Sequence, residues 1–177
     1  MLNTKARGEA YVRKMQAELG AVQEKGVQMA GNAFSSVLLV KGEQGPAELM
    51  GGGLLSGADG KALRAALLKL GYAPEDWAAI DATASPKLFR QAVATLDPNT
   101  LVACDQKAAE LVRDAFAEEL SALPSFDDAM LVPGRVVRVA GMRVLNLGGF
   151  EAALSSSAQK QIMWARLKQI PPLGDPY

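Results

Sequence analysis

Histidine is absent from the 177 residues. Ser-His-Asp and Cys-His nucleophile systems therefore cannot form. Zinc sites of the His or His/Cys type are excluded as well. Acid–base chemistry near neutral pH has to use a shifted carboxylate, Lys, Tyr or Cys. Cysteine occurs once, at Cys104. A lone thiol rules out an internal disulfide framework and any four-cysteine cluster, and it fits a reducing, cytoplasmic compartment. No run approaches the roughly 18 apolar residues of a membrane span, so no membrane role is expected. Residues 1–35 carry scattered charge and no apolar block with a cleavage site, so no signal peptide is expected. Neither sign of charge is in excess: Lys plus Arg and Asp plus Glu each total 19. Bulk electrostatics therefore do not announce a nucleic-acid partner.

What is present is a globular composition, 49% hydrophobic. The length favours one domain over 1–177, with residues 1–35 as an N-terminal helical extension. Helical spacing of Ala10, Val12, Met15, Leu19 and Val22 predicts a helix over 4–25. Val37–Val40 is a continuous apolar run between turn residues, suited to a strand buried on both faces. Further strands are expected at Trp77–Thr83 and Thr100–Cys104, and a hairpin across Ala140-Gly141. Helices are expected at Lys61–Leu70, from Pro86 to about Leu96 with Ser85 as N-cap, at Gln106–Leu120 capped by Asp105, and at Ala158–Ile170. Alternation of this kind gives an α/β fold, a mostly parallel sheet covered by helices on both faces.

Charge is segregated along the chain. Six basic residues lie between Pro133 and Ile170, including Arg135, Arg138, Arg143 and Lys160, against the single acid Glu151. Eight acids lie between Asp97 and Asp128, against Lys107 and Arg113. The simpler reading is two solvated faces; the functional reading is a basic surface for phosphate beside an acidic surface for another partner.

The densest signal is the stretch after the first buried strand. Gly42-Glu43-Gln44-Gly45-Pro46 ends the apolar run, Gly51, Gly52, Gly53 and Gly57 follow, and Gly60-Lys61 opens a helix. No G-x-G-x-x-G occurs there. Gly60-Lys61 is followed by Ala62 where a P-loop needs Ser or Thr, so both nucleotide motifs are rejected. Cys104 reads as a small buried hydrophobe, and Trp164 as an anchor onto the sheet. Glu43 stays open between a surface loop carboxylate and a carboxylate held at a strand tip, where open α/β sheets bind ligands.

Those same residues resemble a known family. VLLVKGEQGPAE followed by GGGLLSGADGKALRAALLKLGY is similar to the first motif region of the uracil-DNA glycosylase superfamily, in the branches with a Gly-Glu-Ala-Pro-Gly type motif. SPKLFRQAVATLDPNTLVACDQKAAELV and RVVRVAGMRVLNLGGFEAALSSSAQKQIMWARLKQI resemble its later segments, so the likeness runs from Val37 to Ile170. The resemblance implies a three-layer αβα sandwich around a four-stranded parallel sheet. It implies a pocket for a flipped base at the carboxyl ends of the strands, since the target atom is unreachable inside a duplex. Glu43 falls on the family's water-activating carboxylate, with Gly42, Gln44, Leu55, Asp81 and Gly149 around the base.

Departures from the family pattern are as informative. Leu55 stands where an aromatic stacks on the base, forfeiting much of the roughly 1–3 kcal/mol that stacking supplies. Asp81 replaces an Asn that reads the base edge, and an ionised Asp only accepts hydrogen bonds. Gly149-Phe150-Glu151 replaces His-Pro-Ser, and the cysteines of the iron–sulfur branches are missing. The expectation is a diverged relative with base excision weak or lost, still binding DNA through Arg135, Arg138, Arg143 and Lys160. One alternative is a non-catalytic interaction subunit that meets a basic protein through the acidic 97–128 surface. Another is an active glycosylase that relies on Glu43 alone. No cofactor or metal is expected, although Glu43, Asp81 and Glu151 could hold a divalent cation through oxygen ligands if they converge.

Overall fold

A computed structural model describes residues 4–173. In chain order its elements are α1 (Thr4–Glu24), β1 (Met29–Gly31), β2 (Val37–Lys41), α2 (Pro46–Leu49), α3 (Ala58–Leu70), β3 (Ala78–Asp81), α4 (Pro86–Leu96) and β4 (Thr100–Ala103). Then come α5 (Gln106–Ala115), α6 (Ala117–Ser121), α7 (Phe126–Ala129), β5 (Val136–Val139), β6 (Met142–Asn146), α8 (Phe150–Ala153) and α9 (Ser157–Leu167). The chain is α/β, with one mixed sheet of six strands in the order β1-β3-β2-β4-β6-β5.

The apolar runs form the middle of that sheet. Every residue of β2, β3, β4 and β6 is buried. Strands buried on both faces read as continuous apolar runs without alternation, and these do. β3, β2, β4 and β6 pair in parallel, with Leu39 opposite Ala79 and Val102, and Val102 opposite Leu145. The expectation of four strands is corrected to six. β1 adds to β3 and β5 to β6, both antiparallel, at the two edges.

Alternate residues of each central strand point into different cores. Leu38, Val40, Ile80, Leu101 and Val144 pack with residues of α1, α4 and α5. Val37, Leu39, Ala79, Val102 and Leu145 pack with residues of α3, α8 and α9. Met15, Leu19 and Val22 of α1 belong to the first cluster and β1 to the sheet, so 4–31 is integral to the domain.

Local signals placed the helices. The Ser85 hydroxyl accepts from the Leu88 amide, with Pro86 at the first helical position. The Asp105 carboxylate accepts from the Ala108 amide and caps α5. The consequence for function is topological. The chain runs from β2 outward to β3, then returns to β4 on the other side of β2. That reversal makes the carboxyl ends of β2 and β4 the switch point where such sheets open a crevice.

Candidate functional site

Lys41, the last residue of β2, points into this crevice and is only 3% exposed. Its Nζ lies 2.6 Å from Glu48 Oε1, 2.6 Å from Asp59 Oδ2 and 2.9 Å from Glu151 Oε2. An ammonium has three donors, and all three are used. The carboxylates come from α2, the first turn of α3, and the distant α8. Burial alone would lower the Lys41 pKa. The hydrogen bonds to Asp59, Glu48 and Glu151 outweigh it and hold the pKa well above its ordinary value. Lys41 is therefore a fixed cation, unable to serve as a base or an amine nucleophile near neutral pH.

Glu48 ties the loop as well as the lysine. Its Oε2 accepts from the Gly45 amide at 2.9 Å, and its Oε1 accepts from the Leu55 amide at 3.2 Å. Burial opposes its charge, but the bonds from Lys41 and from the backbone win and lower its pKa. Asp59 is 2% exposed, and its Oδ1 has no hydrogen-bond partner among the described residues.

A second carboxylate fills the other half of the crevice. Asp105 Oδ1 and Oδ2 accept from the Gly42 amide at 3.1 and 3.0 Å, and Oδ2 accepts from the Glu43 amide at 2.9 Å. Successive backbone amides turned toward one point make an anion-binding nest. Here a side chain of the protein occupies it. Gly42 is required by the close approach: a Cβ there would stand 2.5 Å from Lys107 Cβ and 2.7 Å from the Ala108 nitrogen.

The space left is small. A pocket of about 50 Å³ is lined by Lys41, Glu43, Cys104, Asp105, Gly149 and Glu151, among others. Water takes about 30 Å³ each, so one or two waters fit. Ligand pockets start near 300 Å³. Burial, with the nearby charges of Asp105 and Asp59, pushes the Cys104 thiol far up, so it stays protonated and unreactive.

The residues expected around a flipped base are only partly together. Glu43 is exposed at the pocket rim, Gln44 is exposed beside it, and Gly42 is buried against Asp105. Gly149 precedes α8 and bridges to Asp105. Leu55 instead turns into the core at 1% exposure, with a left-handed φ of 58°. Asp81 is 8% exposed and accepts from the amides of Gln28 and Thr83 and from the Thr83 hydroxyl. Glu43 and Gly149 share the pocket; Leu55 and Asp81 do not line it. Glu43, Asp81 and Glu151 do not converge either: among the described residues no group of three or more His, Cys, Asp or Glu is placed to hold a metal ion.

The four basic candidates also separate. Arg135 pairs with Asp128 at 2.8 Å, and Arg138 and Lys160 are exposed. Arg143 is 7% exposed at the amino end of β6, the far end of the sheet from Lys41. No helix among the described residues is long and apolar enough to cross a membrane.

Sequence reasoning missed Lys41, Glu48 and Asp59, and took Asp105 only as a helix cap. A lysine closing a wholly apolar strand was the available signal, since a solvated charge there would break the burial of β2. Its three partners, spread from Glu48 to Glu151, carried no local signature. No protein-family model matches the chain, and no curated protein matches it.

Proposed function

We propose that this chain is a non-catalytic relative of the uracil-DNA glycosylases that works as a protein-interaction module, docking a basic partner on the acidic 97–128 surface. The carrying observation is Lys41, which with Glu48, Asp59 and Glu151 occupies the crevice a flipped base would enter. The helices on both faces of the parallel strands accord with the three-layer αβα sandwich of that superfamily. Glu43 remains at the rim, but the stacking, reading and anion-stabilising groups are Leu55, Asp81 and Gly149, none fit for the task.

Interaction is favoured over DNA binding by what remains exposed. Asp97, Glu110, Asp114, Glu118 and Asp127 are exposed, and none is in an ion pair among the described residues. Phe126, next to Asp127 in the chain, stands 76% exposed, and Met130 41% exposed. An exposed aromatic in an acidic stretch of chain suits a basic, amphipathic protein segment. Of the four basic candidates, Arg135 is paired with Asp128 and Arg143 is buried, which leaves Arg138 and Lys160 exposed.

The test has two arms. Uracil-containing single- and double-stranded oligonucleotides should show no excision by the wild type or by Glu43→Gln. Robust wild-type excision lost in Glu43→Gln overturns the non-catalytic reading. A labelled Lys/Arg-rich amphipathic peptide should bind and lose about tenfold affinity with Phe126→Ala. Tight duplex binding with a steep salt slope, and no peptide binding, overturns the interaction reading.

A further inference from the structure

The other end of the sheet holds a buried cation of a different kind. Arg143 sits opposite Thr100 in the β4–β6 register. Its Nε donates to Thr100 Oγ1 at 3.0 Å, and its Nη2 donates to Thr100 Oγ1 at 2.8 Å, Tyr72 Oη at 3.2 Å and the Pro171 carbonyl at 2.8 Å. Every one of these acceptors is neutral. No carboxylate lies within ion-pair distance of Arg143 among the described residues, whereas Lys41 has three. Nη1 has no hydrogen bond among those residues. A buried charge without a counter-charge is costly unless something supplies one.

Arg143 lines a pocket of about 420 Å³ together with Ser36, Tyr72, Asp76, Asn99 and Thr100. That volume lies within the range of small-ligand sites, unlike the space beside Lys41. Asp76 stands on the same pocket wall, outside ion-pair distance of Arg143. Its carboxylate already accepts from Ser35 Oγ, the Ser36 amide and Ser36 Oγ, each at 2.8 Å. Tyr72 is held by donating to the Ile170 carbonyl at 2.6 Å. The cavity is thus lined by held polar groups and by a guanidinium with no carboxylate at ion-pair distance among the described residues.

We propose that this pocket is a binding site for a small organic molecule bearing a singly charged oxyanion, which Arg143 Nη1 receives at the amino end of the sheet. Asp76 on the pocket wall sets the charge preference. Its negative field tolerates one charge and repels a second, so carboxylate is favoured over phosphate dianion. Asn99, exposed at the mouth, offers an amide to the bound oxygens.

The experiment measures the melting temperature of the full chain at pH 7.5 in acetate, benzoate or inorganic phosphate, against chloride at equal ionic strength. A carboxylate should give a saturable rise of about 3 °C near ten times its dissociation constant. Asp76→Asn should raise apparent affinity severalfold, and Asn99→Asp, at an exposed position, should lower it by about threefold to tenfold. Arg143→Gln should abolish the rise; if it fails to fold, the two other variants carry the test. Saturable stabilisation by phosphate with none by either carboxylate overturns the proposed ligand class. No saturable rise with any of the three, or a rise indifferent to Asp76→Asn and Asn99→Asp, overturns the site.

Discussion

The chemistry of the strand-tip crevice is decided by single side chains. Lys41 is charged because three carboxylates touch it, and Cys104 is uncharged because burial and two nearby acids oppose a thiolate. Both groups are nucleophiles in other settings, and both are silenced here. Leu55 beside them lies in the core at 1% exposure. Cys104 gives the direct check at this scale. Iodoacetamide at pH 8 should label the native thiol about a hundredfold or more slowly than the urea-unfolded chain. Comparable rates in the two states would mean that the thiol is accessible and the pocket open.

Among the elements, α5 joins helix capping to the site. The Asp105 carboxylate satisfies the Ala108 amide of α5 and also the amides of Gly42 and Glu43 beyond β2. Asp105→Ala should therefore cost more than a cap alone, about 2–3 kcal/mol in urea denaturation. A loss no larger than about 0.5 kcal/mol would show that the nest does not depend on Asp105. The elements themselves were largely legible. β2 and β4 announce themselves as apolar runs, and α4 by Ser85-Pro86, because burial and capping are local properties of a sequence. β1 was missed because a three-residue edge strand ending in Gly31 has no periodicity to read. The break at Phe116 between α5 and α6 was missed because the apolar spacing runs through it, and α7, capped by Ser125, was missed because it is a single turn within an expected loop. The Lys41 cluster was illegible because its members are brought together only by the fold.

For the whole molecule, the sheet holds a buried cation toward each end. The carboxyl end gathers Glu48, Asp59 and Glu151 on Lys41, and the amino end leaves Arg143 without an acid partner among the described residues. The carboxyl-end cluster shapes stability against pH. Glu48 has a lowered pKa in the folded state, so its contribution is complete above the unfolded value of about 4.3 and is lost as pH falls through the folded one. Lys41 has a raised pKa, so its contribution is complete below about 10.4 and is lost as pH rises through the folded value. The urea midpoint should therefore stay level through neutrality and fall below about pH 4–5. A steep fall between about pH 6 and 7 would contradict this, since neither group titrates there.

The account turns on Lys41 holding the crevice shut, and one substitution reaches it directly. Lys41→Met keeps the length of the chain and leaves three carboxylates facing one another without their cation. Urea denaturation should show a loss of about 3–5 kcal/mol with an unchanged m-value. A variant as stable as the wild type, within about 0.5 kcal/mol, would contradict the assignment of Lys41 as the clamp of a closed crevice.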